Sequence, residues 1–398
     1  MAALSATRLR RMHDVLAAHV EAGEQPGLVA VVSRRGETHV DPIGATAFGG
    51  GAPMRHDTIF RITSMTKPIT AAATMLLVEE RKLRLDEPVD RLLPELANRR
   101  VLKRIDGPLD DTVPANRPIT VCDCLTFRLG IGLILEPSST WPIQQAMNAI
   151  GVGFGRPNPA SPLAPDEWLR RLGALPLMHQ PGERWMYNTG SYVLGTLIAR
   201  AAGQPLETFL RERLFEPLGM KDTAFSVPSS KRDRFLPAYE PDAAGTLAVC
   251  DAVDGDWSRA PTFPDGAAGL VSTADDFLAF ARMLLARGLH GTTRVLSRPS
   301  VELMTTDLLT PSQKAVSGFF PGFFDDQGWG FGVSVVTRRT DLSTTPGRYG
   351  WDGGYGTSWN NDPREDMAAI LLTQRVGFPG STRTYGDFWT LAYQAIDD

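Results

Sequence analysis

Ser64-Met65-Thr66-Lys67 runs almost directly into Thr70 to Glu80 (TAAATMLLVEE), a stretch that is apolar or small nearly throughout. A helix that is apolar all round has to be buried on every side, so the residues that open it are fixed against a core. Residues three apart share a helix face, which brings the Ser64 hydroxyl to the Lys67 amine. A serine becomes a nucleophile when a base takes its proton, and an unprotonated lysine is such a base. Arginine, the cation this chain favours, stays protonated in proteins and could not substitute. Phe60-Arg61-Ile62 forms an apolar lead-in, and Pro68 fits a first helical turn, where its missing N–H costs little. The four residues alone are equally compatible with an N-cap serine followed by a solvated lysine.

The organisation around this helix predicts an α/β (α+β) architecture. Leu9, Met12, Leu16 and Val20 recur at helical spacing in a charged segment, giving an amphipathic first helix rather than a signal peptide. Gly27 to Arg34 and Thr38 to Thr46 form a hairpin about Arg35-Gly36, and Gly49-Gly50-Gly51 reads as a surface turn. From residue 86 to 265 the texture changes to prolines, turns and short helices, with helices at Thr120–Leu125, Glu167–Leu175, Ser191–Ala202 and Pro205–Phe215. Ser272 and Asp275 read as a capping pair for a helix over Phe277 to Arg287. Strands follow over Gly328–Thr337, Tyr349–Asn361 and Met367–Gln374, then a helix over Gly386–Ile396. Short links between the late strands favour antiparallel pairing. The expectation is a sheet domain built from both ends of the chain, residues 1–85 and 266–398, with a mainly helical domain, residues 86–265, inserted.

Composition removes several function classes. A net charge of −4 with no basic face argues against nucleic acid as a partner. No run is long enough to span a membrane, and the chain reads as cytoplasmic. Cys122, Cys124 and Cys250 cannot all pair and read as small buried thiols; the six histidines are scattered without metal-ligand spacing. No metal and no cofactor is expected.

Two further segments carry candidate chemistry. Tyr187 follows the turn Gln180-Pro181-Gly182-Glu183 and precedes a helix. A phenol beside a cationic amine can share or lose its proton below its ordinary pKa of about 10, so Tyr187 is a candidate proton relay, or else a half-buried tyrosine bonded to backbone. Trp351-Asp352-Gly353-Gly354-Tyr355-Gly356 falls in a late strand, where glycine is costly unless something approaches the backbone closely. Acyl transfer needs two N–H donors aimed at a developing oxyanion, and Ser64 N–H and Gly354 N–H are candidates; a bulge is the competing explanation. A class of Ser–His–Asp hydrolases is disfavoured because Gly356-Thr357-Ser358-Trp359-Asn360 lacks the final glycine of the nucleophile elbow.

Taken in order and at their spacing, these three elements resemble those of the serine β-lactamase and penicillin-binding-protein superfamily. The branch they are most similar to is the class C β-lactamase-like esterases, family VIII. The resemblance runs over roughly residues 10 to 397 and includes Leu83-Arg84-Leu85-Asp86-Glu87-Pro88-Val89, Pro118-Ile119-Thr120-Val121, Pro217-Leu218-Gly219-Met220 and Gly269-Leu270-Val271-Ser272-Thr273. It implies a β-lactamase-like fold, Ser64 as nucleophile, Lys67 as its base, Tyr187 as general acid and base, and an oxyanion hole of Ser64 and Gly354 N–H. Two departures stand out. The second motif is usually Tyr-x-Asn, whereas here Asn188 follows directly and Thr189 holds the third place, so either side chain is the candidate substrate contact. Trp351-Asp352-Gly353 replaces the Lys-Thr-Gly that holds a carboxylate in β-lactamases. Loss of that cation, with Asp352 added, disfavours anionic β-lactams and favours neutral esters.

The function expected is therefore a serine carboxylesterase acting on small-molecule esters of short to medium chain, with Trp351, Asp352, Gly353 and Tyr355 also at the pocket. Its oligomeric state is not legible. The alternatives are a β-lactamase or D-Ala-D-Ala peptidase, an acyltransferase on the same scaffold, and a non-catalytic protein of the same fold. Trp141, Phe154, Phe319, Phe320, Phe323, Phe324, Trp329, Trp351, Tyr355 and Trp359 are candidates for the rim, and 136–165 and 311–326 for the segments that set specificity.

Overall fold

The computed structural model describes residues 3–134, 141–152, 156–377 and 382–398. Gly27–Arg34 (β1) is buried at every position, and its neighbour Met367–Leu372 likewise. A strand covered on both faces loses the polar alternation of a surface strand. Successive side chains of β1 go to different compartments: Val29 and Val31 to one apolar core, Leu28, Ala30 and Val32 to another. Amphipathic helix α1 (Ala6–Glu21) covers the second compartment with Leu9, Met12 and Leu16. The two-residue turn at Arg35 and Gly36, at φ of 48° and 83°, is the mirror-image geometry that suits tight hairpins. It pairs β1 with β2 (Glu37–Gly44) in the register Val31↔Val40.

The remaining main elements are helix α2 (Thr66–Glu79), buried at every position from Thr66 to Leu77; helix α3 (Thr189–Ala202), closed by Gly203 in the left-handed conformation; and helix α4 (Ala274–Leu285). Strands β3 (Gln327–Trp329), β4 (Ser334–Val336), β5 (Tyr349–Gly353), β6 (Thr357–Asp362) and β7 (Met367–Leu372) follow, then helix α5 (Arg383–Gln394). One seven-stranded sheet has the order β3-β4-β5-β6-β7-β1-β2, antiparallel at every step. The last strand of the chain thus pairs with the first, Ile370 opposite Val31. Helices α2, α3 and α4 lie in the larger core; α1 and α5 cover the other face.

Four expectations are corrected. Gly328–Thr337 and Tyr349–Asn361 are each two strands, because Gly332 (φ 71°) and Gly356 (φ 80°) reverse the chain. Helix α4 starts at Ala274, three residues before the expected Phe277, and Thr273, not Ser272, is the N-cap, its hydroxyl accepting from Asp276 N–H. Helix α5 starts before Gly386, capped by Thr382. The segment 136–165, read as irregular, contains a helix at Pro142–Ala149; its residues 136–140 and 153–155, Phe154 among them, lie outside the described residues. The helix expected at Thr120 forms at Val121–Leu125 with a complete Thr120–Asp123 capping box. Among the described residues no helix is long and apolar enough to cross a membrane, and no three His, Cys, Asp or Glu side chains could hold a metal.

Candidate active site

Ser64 lies in a single 3-10 turn, Thr63–Met65, between the short strand Phe60–Arg61 and α2. The expected α-helical start is thus corrected by one turn; a 3-10 turn eclipses residues i and i+3, so the Ser64–Lys67 pairing survives. Thr63 carries φ +40°, rare for a β-branched residue, and the strain is held by contact with β5. A Cβ on Gly353 would stand 2.6 Å from Thr63 Oγ1, and Thr357 Oγ1 donates to the Ile62 carbonyl at 3.2 Å. Gly353 is accordingly the floor beneath the Ser64 turn rather than a wall of the cleft.

Lys67 is wholly buried. Its Nζ lies 2.9 Å from Ser64 Oγ and 2.8 Å from the Ala267 carbonyl, which accepts from it. Burial lowers its pKa from 10.5 to about 7, against the opposing pull of the Asp265 carboxylate. The Tyr187 ring stands 4.6 Å from the same Nζ. Its hydroxyl bonds the Ser64 side chain and accepts from the Trp351 indole N–H at 2.8 Å. Burial drives this phenol upward, outweighing both bonds. The expectation that the Tyr187 proton is shared or lost more readily beside Lys67 is therefore corrected: burial makes the phenol harder to deprotonate than in water, and the amine easier. Asn188, at φ +114°, strains the backbone between Tyr187 and α3 and hydrogen-bonds the Tyr192 phenol.

The cleft over Ser64 has a volume of about 620 Å³ and is walled by Leu133, Phe319, Phe320, Phe323 and Trp351, with Gly354 at its edge. Phe320 is 55% exposed at the mouth. Asp352 reaches the same cleft, but its oxygens accept from Ser358 Oγ (2.5 Å) and Tyr385 Oη (3.1 Å) of α5, and burial raises it to about 6. Other expected pocket residues lie elsewhere. Asn188 and Thr189 are buried behind Tyr187, where α3 packs on α2. Tyr355 turns away to pack on Trp257, ring centroids 5.8 Å apart. Phe324 and Trp329 back the cleft wall from a buried aromatic cluster, and Trp359 lies under α4 against Phe277. Trp141 packs on the main core.

Sequence reasoning missed the turn 265–270. Asp265 Oδ1 accepts the Ala267 N–H at 2.6 Å, and this turn carries the carbonyl that holds Lys67. A backbone carbonyl has no sequence signature, and Pro264-Asp265-Gly266 reads as an ordinary surface turn.

A serine hydroxyl against a buried amine, with a phenol closing the group, on an antiparallel sheet flanked by helices, places this chain in the serine hydrolase superfamily of β-lactamase-like fold. The family model described as Beta-lactamase matches residues 12–393, and the chain belongs to that family. Protein Rv1367c of Mycobacterium tuberculosis (strain ATCC 25618 / H37Rv) is 40% identical over 360 residues, 89% of this chain and 87% of its own length. Esterase EstB of Burkholderia gladioli is 32% identical over 369 residues, 87% and 85% of the two chains. The solved structure of EstCE1, described as a hydrolase with promiscuous acyltransferase activity, aligns with a TM-score of 0.78 at 25% identity, covering 97% of this chain and 99% of that one.

Proposed function

We propose that this protein hydrolyses neutral carboxylic esters of short to medium chain through a covalent acyl-enzyme on Ser64. The observation that carries this reading is the 2.9 Å contact between Ser64 Oγ and a lysine amine lowered to about 7 by burial. In the proposed reaction Lys67 Nζ takes the Ser64 proton as Oγ bonds the ester carbon. The carbonyl electron pair moves to oxygen, and the N–H groups of Ser64 and Gly354 hold it; each such donor is worth roughly a hundred- to a thousand-fold in rate. Tyr187 protonates the departing alkoxide and recovers a proton from the Lys67 ammonium. Water then attacks the acyl carbon while the phenol relays its proton back to Lys67, which returns it to Ser64 as the acid leaves. Segment 86–265 acts as an insertion supplying Tyr187, and segments 1–85 and 266–398 supply Ser64, Lys67 and the sheet.

The cleft supports a neutral ester. Its wall of Leu133, Phe319, Phe320, Phe323 and Trp351 suits an apolar acyl group. An indole donating to Tyr187 stands where β-lactamases carry a carboxylate-binding lysine. The test uses a chromogenic butyrate ester, a chromogenic cephalosporin and a fluorophosphonate probe, on wild type and Ser64→Ala. Butyrate turnover and labelling, both lost in folded Ser64→Ala, with the cephalosporin untouched, are the expected results; undiminished butyrate hydrolysis by Ser64→Ala would refute the proposal.

A second reading, acyl transfer to an alcohol, is favoured by the cleft's volume and by the likeness to EstCE1. Adding a primary alcohol and comparing transesterified product with free acid separates the two.

A further inference from the structure

Asp265 is a buried carboxylate that the reaction above does not use. It lies in the turn between Phe263 and Leu270, which is pressed onto the Lys67 face of α2. Thr70 Oγ1 donates to the Gly266 carbonyl at 2.7 Å, and the Leu270 N–H donates to Thr66 Oγ1 at 3.2 Å. On its other side the turn meets α3 so closely that a Cβ on Gly266 would stand 2.8 Å from the Ser191 carbonyl oxygen. Within the turn the carboxylate accepts from the N–H of Ala267, at 2.6 Å, and of Ala268. The Ala267 carbonyl is thereby turned outward, onto Lys67 Nζ.

We propose that Asp265 is the positioning residue for Lys67: it shapes the turn that fixes one amine N–H on the Ala267 carbonyl, and it supplies the buried counter-charge when Nζ takes the Ser64 proton. The inference rests on the reaction proposed above. A neutral amine has two N–H bonds and one lone pair. With one N–H committed to Ala267, the amine is oriented, and its lone pair can face Ser64 Oγ. Once the proton arrives the amine is a cation sealed from water, a state that is costly without an opposite charge nearby. The titratable groups facing Asp265 are Lys67 from α2, and Tyr187 and Tyr192 from the start of α3; Asp352 acts on Tyr187 from its far side. Among these, Lys67 alone can carry positive charge. Burial raises Asp265, opposed by its bonds to the turn N–H groups and by Lys67. The Asp265 charge in turn pulls Lys67 upward.

The test is the pH dependence of fluorophosphonate labelling and of butyrate kcat/KM in Asp265→Asn and Asp265→Glu, with melting temperature as a check on folding. Asp265→Asn keeps the shape and an acceptor for the turn but removes the charge. Lys67 then holds its proton less tightly, so the acid limb of both profiles moves down by about one pH unit. A weaker base is also a slower one, so the plateau falls about tenfold. Asp265→Glu restores the limb to its wild-type position. A limb that does not move in folded Asp265→Asn overturns the proposal, whatever happens to the plateau, because a merely structural role would leave it in place. If Asp265→Asn does not fold, Asp265→Ser is read in the same way. Ser64→Ala separates the two claims: labelling that survives in it overturns the acyl-enzyme itself, whereas abolished labelling there with an unmoved limb in Asp265→Asn overturns only the role of Asp265.

Discussion

Lys67 is held out of water by the same packing that makes it reactive, and that packing works against stability. In the unfolded chain its amine keeps a proton up to about pH 10.5; in the fold burial brings that point to about 7. Between these values the unfolded state binds more protons, so this residue's contribution to stability rises with pH across the window and is most unfavourable below it. Lys67→Met, which fills the site without a charge, is expected to abolish labelling while raising the melting temperature by several degrees. That gain should shrink as pH climbs from 7 toward 10.5, measured by scanning calorimetry of both proteins. In the proposed reaction the neutral amine is the working form, so kcat/KM should fall away as pH drops below about 7, with Lys67 losing its lone pair. Trp351 acts one bond further out, through its N–H on Tyr187. Trp351→Phe removes one donor to a buried hydroxyl and trims a ring packed on Tyr187 and Trp329, so it should slow kcat about tenfold and also lower the melting temperature, each by about the worth of one such hydrogen bond. Ser64, Lys67 and Tyr187 were legible in the sequence as residue types at spacings. A neutral Lys67 was also readable from its expected burial; the Ala267 carbonyl that holds its amine and the opposing charge of Asp265 were not, being facts of packing that spacing does not encode.

At the scale of elements, the site is assembled where a strained turn meets a hairpin. The β5–β6 hairpin offers Gly353 to the Thr63–Met65 turn and Gly354 to the cleft. Gly353→Ala would drive a methyl group against Thr63 Oγ1 and the Ile62 carbonyl. Overpacking of this kind costs about 1–3 kcal/mol, and here it would also displace Ser64. The expected outcome is a lower denaturant midpoint together with slower labelling. A change at a helix end that does not line the cleft should separate these effects. Thr120→Ala removes one half of a complete capping box at a cost of about 1 kcal/mol, lowering the midpoint while leaving kcat/KM for the butyrate ester unchanged. The Thr120 cap was readable because a cap is a local interaction, written within four residues. The two hairpins read as single strands were misjudged because their turn glycines, Gly332 and Gly356, lie among other glycines, and only the backbone dihedral shows which one reverses the chain. Tyr355 was placed at the pocket from its neighbours in sequence, yet the turn points it at Trp257 instead.

In the molecule as a whole, the sheet divides two apolar compartments, and the one farther from Ser64 is closed by the two ends of the chain. The runs Gly27–Arg34 and Met367–Leu372 were each visible as strands, but their mutual pairing was not, because an apolar strand specifies burial on both faces without naming its neighbour. Once they pair, α1 and α5 are brought side by side over Leu28, Ala30, Val32 and Leu371. Polar contacts tie the ends together: Ser5 N–H donates to the Ala395 carbonyl at 2.8 Å, and Arg34 pairs with Asp398 at 2.7 Å. His19, in the last turn of α1, is held between Glu24 (3.0 Å) and Asp387 of α5 (2.8 Å). Burial by itself would lower its pKa, but the hydrogen bonds and charges of the two carboxylates prevail and hold it above 6.5. A histidine raised in the folded state adds stability that is fully present below its unfolded pKa and is lost as pH rises through the folded one. His19→Gln, which can still donate a hydrogen bond but carries no charge, should therefore destabilise the protein most near pH 5.5. The difference from wild type should narrow steadily above pH 6.5, read as the gap between their melting temperatures. Because neither His19 nor its partners Glu24 and Asp387 line the cleft, the rate of fluorophosphonate labelling at 25 °C should not change with it. A constant melting gap from pH 5.5 to 9 would mean that His19 holds the chain ends by packing and neutral hydrogen bonds alone.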